Sequence, residues 1–275
     1  MSGTQAGLAP GTGARITMRV LALSYVGVLL MVPLGLIFYR TFADGLGAFW
    51  DQVNTPASQS AISLSLLIVA IVVPLNVVFG LVTALALVRG RFRGRGLVQA
   101  IVDLPFAVSP AVVGVSLILL WGVHGWFGAL AEHGFQVIFS LPGMVLATTF
   151  VTLPFVVREV EPVLREIGDE QEQAAATLGA SRWQIFRRIT LPSIRWGLVY
   201  GVVLTVARAL GEFGALIVVA GGVPGESQTL TLLVHARYID DRNTFGAYSA
   251  ATVLMLMALL TLLLMTVVNR KRENA

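Results

Sequence analysis

Apolar residues in this chain neither alternate nor recur every third or fourth position; they run. Six predominantly apolar stretches occupy residues 20–39, 61–88, 97–121, 138–157, 196–219 and 248–268. Each reaches the roughly 20 residues that carry a helix across a hydrocarbon core about 30 Å thick. Backbone polar groups in lipid have to be satisfied within their own segment. The pattern therefore predicts an all-α, polytopic membrane protein with six transmembrane helices. The second stretch is longer than an upright span needs and contains Pro74, so a tilt or a kink is expected there. Pro105, Pro110, Pro142 and Pro154 interrupt the third and fourth. Carbonyls freed by those prolines have to face protein or water, which makes spans three to five the expected lining of a polar pathway, with Ser109 and Pro110 at the interruption. The transmembrane domain is read as 20–269. It lies between a Gly/Ala/Thr-rich N-terminal tail (1–19), expected to lack structure, and a short C-terminal tail (270–275).

Charge changes the picture through its placement. The chain carries 19 Lys and Arg against 15 Asp and Glu, a net charge of +4. All but four of the basic residues fall in alternate connections: Arg15 and Arg19, the run Arg89 to Arg95, the loop from Arg158 to Arg195, and Arg270 to Arg272. Arg40, Arg237 and Arg242 lie on the other side and Arg208 lies within a span. By the positive-inside rule, the basic side and both termini are cytoplasmic. Arginines beside spans read as topology, so no nucleic-acid partner is expected. The outer loops, with Asp44, Asp51, Glu132, Glu226, Asp240 and Asp241, read as solvated connections. The absence of cysteine removes disulfides, thiol nucleophiles and Cys-ligated metals. His124, His133 and His235 stand apart in outer segments, so neither a catalytic nor a metal-ligating set is expected, and no cofactor site. The only lysine is Lys271 and there is no GxxxxGK[ST] phosphate loop, so this chain cannot itself supply the phosphate-binding lysine of an ATPase.

The long basic loop, about 158–195, is the polar segment that needs a reason. Its stretch 172–192, EQAAATLGASRWQIFRRITLP, reads as helix, glycine, helix, stop. Asp169 with Glu172 has the spacing of a capping box. Gln173, Ala174 and Ala175 continue a helix, and Gly179 supplies a left-handed end. Ser181 with Gln184 forms a second capping box, and the second helix is expected to stop at Leu191 and Pro192. An isolated helix as short as the first is marginal in water. It has to lie against something, either the membrane interface or a groove on a partner.

The same segment resembles the loop motif of ABC importer permeases: Glu-Ala-Ala, three residues, Gly, nine residues, Ile, one residue, Leu-Pro. Here Gln173, Ala174 and Ala175 are followed at matching spacing by Gly179, Ile189, Leu191 and Pro192. Gln173 replaces the usual glutamate, which turns a charge-assisted contact into a neutral one, with Glu170 and Glu172 nearby. The stretches VDLPFAVSPAVVG (102–114), FVTLPFVVREVEPVL (150–164) and ARALGEFGALIVVAGGVPGESQTLTL (207–232) are similar to the sulfate/molybdate branch, and within it to the W-type subunits of sulfate/thiosulfate importers. That resemblance implies a type I importer permease fold in the plasma (inner) membrane of a bacterium. It implies that the loop is a coupling helix docked on an ATPase, with Trp183 and Phe186 packed beneath it. It further implies a paralogous T-type permease, two copies of a cytoplasmic ATPase that binds ATP, and an extracytoplasmic sulfate-binding protein. A molybdate/tungstate permease is the alternative in the same class, and an ion-driven secondary anion transporter lies outside it.

Inside the membrane, Arg208 and Glu212 lie four residues apart and hence on one helical face. Such charges are costly and turn toward a bundle interior or a watery cavity. Arg208 either meets an anion or only stabilises the bundle through Glu212. Gly197, Gly201 and Thr205 repeat every four residues and predict a close helix contact, within the chain or with a partner.

Overall fold

The computed structural model describes residues 12–134 and 136–273. Every regular element among them is helical. The order is α1 (Thr12–Phe42), α2 (Gly45–Val53), α3 (Pro56–Arg89), α4 (Arg95–Ala107), α5 (Pro110–Trp121), α6 (Gly128–Glu132) and α7 (Leu141–Glu166). Then come α8 (Glu170–Thr177), α9 (Arg182–Ile185), a π turn (Phe186–Thr190) that leads directly into α10 (Leu191–Leu210), and α11 (Leu216–Val219). The chain closes with α12 (Leu230–His235), a second π turn (Ala236–Asp240) and α13 (Thr244–Glu273). Five of these segments are long and apolar enough to cross a membrane by themselves; α4 and α5, bent by 113° at their junction, pass the same test only as a pair and make a sixth span when counted as one.

The bend has a local cause. Proline disfavours helical geometry in the residue before it, and Val108 and Ser109 are both extended ahead of Pro110. Pro110 then occupies the first turn of α5, where its missing N–H costs nothing. By contrast, α3 is unbroken through Pro74 over 34 residues, about 51 Å of helix, more than the hydrocarbon core is thick.

The bundle is built on α7, which α3 and α10 flank. A Cβ at Gly80 of α3 would lie 2.7 Å from Val156 Cβ. One turn earlier, the Asn76 amide donates to Thr152 Oγ1 at 2.6 Å. On the α10 side, a Cβ at Gly197 would lie 2.8 Å from the Glu159 carbonyl oxygen, and one at Gly201 would lie 2.9 Å from Val156 Cα. The four-residue stripe of small residues therefore meets α7 of the same chain. Leu87, Val102, Val156, Val160, Leu164 and Ile194 fill one end of the bundle. Ile68, Val72, Met144, Val151, Leu216 and Val219 fill the other. The apolar part of α1 is unburied; Thr41 at its end bonds Thr252 of α13 at 2.8 Å.

Several expected boundaries move. Helix α1 starts at Thr12, inside the segment read as a tail, while residues 1–11 lie outside the described ones. Helix α13 continues to Glu273, into the segment read as the second tail. The fourth span is Leu141–Glu166. The fifth begins at Arg182 and ends at Leu210, well before residue 219. Its end is set by Glu212, whose Oε1 accepts the Ala215 N–H at 2.8 Å. A side chain that binds backbone locally competes with helix continuation, and α11 folds back as a separate short helix. Arg237, expected in a solvated loop, is buried. It donates to the Gly246 carbonyl (3.1 Å), Thr55 Oγ1 (2.9 Å) and Ser58 Oγ (2.8 Å). His235 is likewise not a loop residue; its ring stands 5.3 Å from that of Phe213.

Candidate functional site

The loop between α7 and α9 projects α8 away from the bundle. No residue of α8 is buried, and Leu178, just beyond it, is 88% exposed. The end is a Schellman motif: the Ala180 N–H reaches the Ala175 carbonyl and the Gly179 N–H reaches that of Ala176, both at 3.0 Å. Gly179 adopts φ +83° and has open space where a Cβ would point. At the other end Asp169 makes no side-chain cap, and the capping box expected there with Glu172 does not form. The Ser181–Gln184 box does form, in both directions.

Glu172 is engaged elsewhere. Its Oε2 accepts from Arg89 Nε at 2.9 Å and its Oε1 from Thr190 Oγ1 at 2.8 Å. Arg89 continues to the carbonyls of Leu164 (3.2 Å) and Gly168 (2.5 Å). One carboxylate thus ties α8 to the end of α3, the end of α7 and the π turn before α10. The node is not legible in the sequence: Arg89 has the placement of a topology-setting arginine, and nothing local links it to a residue 83 positions away.

The expected stop at Leu191 and Pro192 does not occur. The Leu191 N–H reaches back five residues to the Phe186 carbonyl. Proline in a helix removes one hydrogen bond and crowds the carbonyl four residues earlier, and a wider π turn accommodates both. The helix therefore passes through Ile189, Leu191 and Pro192, and the loop proper is shorter than 158–195. Trp183 is not buried beneath α8. It is 66% exposed, with its ring stacked on Phe186 at 5.6 Å.

We expect Arg89→Ala to free α8 from the bundle. Hydrogen bonds to charged groups contribute about 1.5–3 kcal/mol, so amide exchange across 170–180 should accelerate roughly ten- to a hundredfold. Hydrogen–deuterium exchange of the purified chain would measure this, and unchanged protection there would show that the node does not hold α8.

The second feature is a cavity of about 390 Å³ at the break between α4 and α5. Pro105, Phe106, Ala107, Val108, Ser109, Pro110, Val151, Phe155 and Arg208 line it. Three of the four expected pathway residues thus come together from two separate stretches of chain. The fourth, Glu212, is not in the lining. It is 1% exposed and pairs through Oε2 with Arg208 Nη1 at 2.7 Å. Val151 lies ten residues into α7, about 15 Å along its axis from the end at Leu141, so the cavity sits deep in the span. Phe106 is fixed by Arg158, whose guanidinium lies 4.4 Å above its ring and bonds Asp103 at 2.8 Å.

A bundle of five to six apolar spans, with an exposed short helix tied to it and a cavity at the break between α4 and α5, fits the class of membrane transport permeases. Sequence comparison agrees: the profile of the family described as "Binding-protein-dependent transport system inner membrane component" matches residues 76–274. The sulfate transport system permease protein CysW of Synechocystis is 49% identical over 252 residues, 91% of each chain. CysT of Escherichia coli, another sulfate transport system permease protein, is 38% identical over 88% of this chain and 87% of its own. In structure, the fold matches a chain of a bacterial ABC transporter involved in import of the acidic polysaccharide alginate. The TM-score is 0.73 at 17% identity, over 94% of this chain and 95% of that one. The chain belongs to the inner-membrane components of binding-protein-dependent transport systems.

Proposed function

We propose that this chain is a non-catalytic permease subunit of an ATP-driven sulfate importer in the plasma membrane of a bacterium. Its termini and α8 face the cytoplasm, where the arginine-rich connections lie. Its partners are a paralogous T-type permease, two copies of an ATPase that binds the ATP, and an extracytoplasmic sulfate-binding protein. Sulfate as cargo is supported by relatives named for sulfate transport, among them ones at 49% and 47% identity.

The observation that carries the mechanical role is the mount of α8. Gln173, Ala174 and Ala175 present a small-sided, unburied helix, ended by Gly179, that a groove on the ATPase can enclose. Glu172 joins that helix to α3, α7 and α10 at once. When the ATPase dimer closes, a displacement of α8 is passed through this node and through the unbroken helix at Ile189, Leu191 and Pro192. The spans move as bodies because their contacts are close-packed, with Gly80, Gly197 and Gly201 leaving no slack. Arg208, Glu212, Ser109 and Pro110 lie on the pathway that these bodies open alternately to the two sides.

The test is uptake of radiolabelled sulfate into proteoliposomes holding the two permeases, the ATPase and the binding protein. ATP-dependent sulfate uptake is the expected result. Negligible sulfate uptake with molybdate carried instead would move the chain to the molybdate/tungstate class. Uptake indifferent to ATP would favour an ion-driven transporter.

A further inference from the structure

Resting on that reading of the pathway, we propose that the cavity beside Arg208 is a transit site for a tetrahedral oxyanion, and that Glu212 positions Arg208 and keeps the hold weak. One guanidinium nitrogen, Nη1, is committed to Glu212. Arg208 makes no salt bridge other than this one among the described residues, and it is part of the cavity wall. A guanidinium fork presents parallel donors matched to two oxygens of a sulfate-like anion. The lining contains no carboxylate, and the Ser109 hydroxyl, which makes no capping bond, is a further free donor. The two helix ends at the break oppose one another. The C-terminal end of α4 carries negative partial charge and the N-terminal end of α5 positive, so Arg208 carries the site.

Glu212 has the opposite task. It is buried outside the lining, and its second oxygen is fixed by the Ala215 N–H, so it cannot swing into the cavity. It holds the guanidinium at the wall and cancels its net charge. An unopposed arginine in a low-dielectric site would trap a dianion, whereas conduction requires a site weak enough to release its ion. The ion pair that would argue against an anion path is, in this geometry, what makes the site releasable.

The decisive variant is the charge swap Arg208→Glu with Glu212→Arg in the reconstituted complex. It keeps an ion pair but turns a carboxylate toward the cavity. We expect the maximal uptake rate per assembled complex to fall about tenfold or more, the effect of losing charge-assisted contacts worth 1.5–3 kcal/mol. The half-saturating sulfate concentration should stay the same, because capture occurs at the binding protein. ATP hydrolysed per sulfate should rise. Wild-type uptake in the swap would overturn the proposal and leave the pair purely structural. If the swap does not assemble, Arg208→Lys decides, since it keeps an ion pair with Glu212 but not the fork. Uptake per complex clearly below wild type supports the site, and wild-type uptake overturns it. Failure of the wild-type complex to import sulfate would instead sink the sulfate reading itself, so the two failures are distinguishable.

Discussion

Gly179→Asp is expected to reduce ATP-driven sulfate uptake to background while the permease still folds and assembles. The separation of the two effects follows from geometry. A Cβ at Gly179 meets nothing within 4 Å, so the bundle does not register the change. The local backbone does. At φ +83° any residue with a side chain is strained relative to glycine, aspartate less than most. The new carboxylate would also sit beside the negative end of α8, an unfavourable placement. Both penalties act on the Schellman turn that presents Leu178 and the small face of α8. A groove shaped for that face would then meet a charge and a distorted helix end. Size-exclusion chromatography with the T-type partner should be unchanged and uptake absent. Full uptake would mean that α8 does not couple the spans to the ATPase, and the mechanical role proposed for it would fall.

Gly80→Leu should have the opposite profile, a loss of folded protein before any loss of coupling. The Cβ alone would lie 2.7 Å from Val156 Cβ and 2.8 Å from its Cγ1, and Val156 is fully buried between α3, α7 and α10. Nothing flexible stands in the way that could move aside. Overpacking a close-packed core costs typically 1–3 kcal/mol and occasionally more. The clash is also next to the Asn76–Thr152 hydrogen bond, which any separation of α3 from α7 would break. A marked fall in thermal unfolding temperature in detergent is the expected result. Gly35→Leu on α1, where a Cβ meets nothing within 4 Å, is the matched control and should be neutral. Equal stability of the two variants would show that α3 and α7 are not locked at this level.

The class of fold was legible because lipid imposes it. Runs of about 20 apolar residues have one economical conformation in a membrane, and no tertiary contact is needed to infer it. Local backbone chemistry was legible for the same reason: the left-handed Gly179 and the Ser181–Gln184 box involve residues within a few positions of one another. Where a distant partner competed with a local preference, the local pattern was overridden. Asp169 and Glu172 had the spacing of a cap, but Arg89 and Thr190 offered Glu172 a cation and a hydroxyl that the backbone could not match. Pro192 has the local signature of a stop, because the π turn that absorbs it depends on how α10 continues into the bundle.

Long-range partnerships were decided by tertiary structure alone. The stripe Gly197, Gly201 and Thr205 announced a close neighbour but not which one; packing assigns it to α7. Arg208 and Glu212 announced an ion pair but not its orientation; the turn at Gly211 and the bond to Ala215 bury the acid and leave the base at the cavity wall. The sequence by itself determined how many helices cross and which loop projects from them, since solvation and backbone geometry act residue by residue. Which helices touch, and which side of a charge faces open space, only the three-dimensional packing decided, because those energies exist only once distant segments meet.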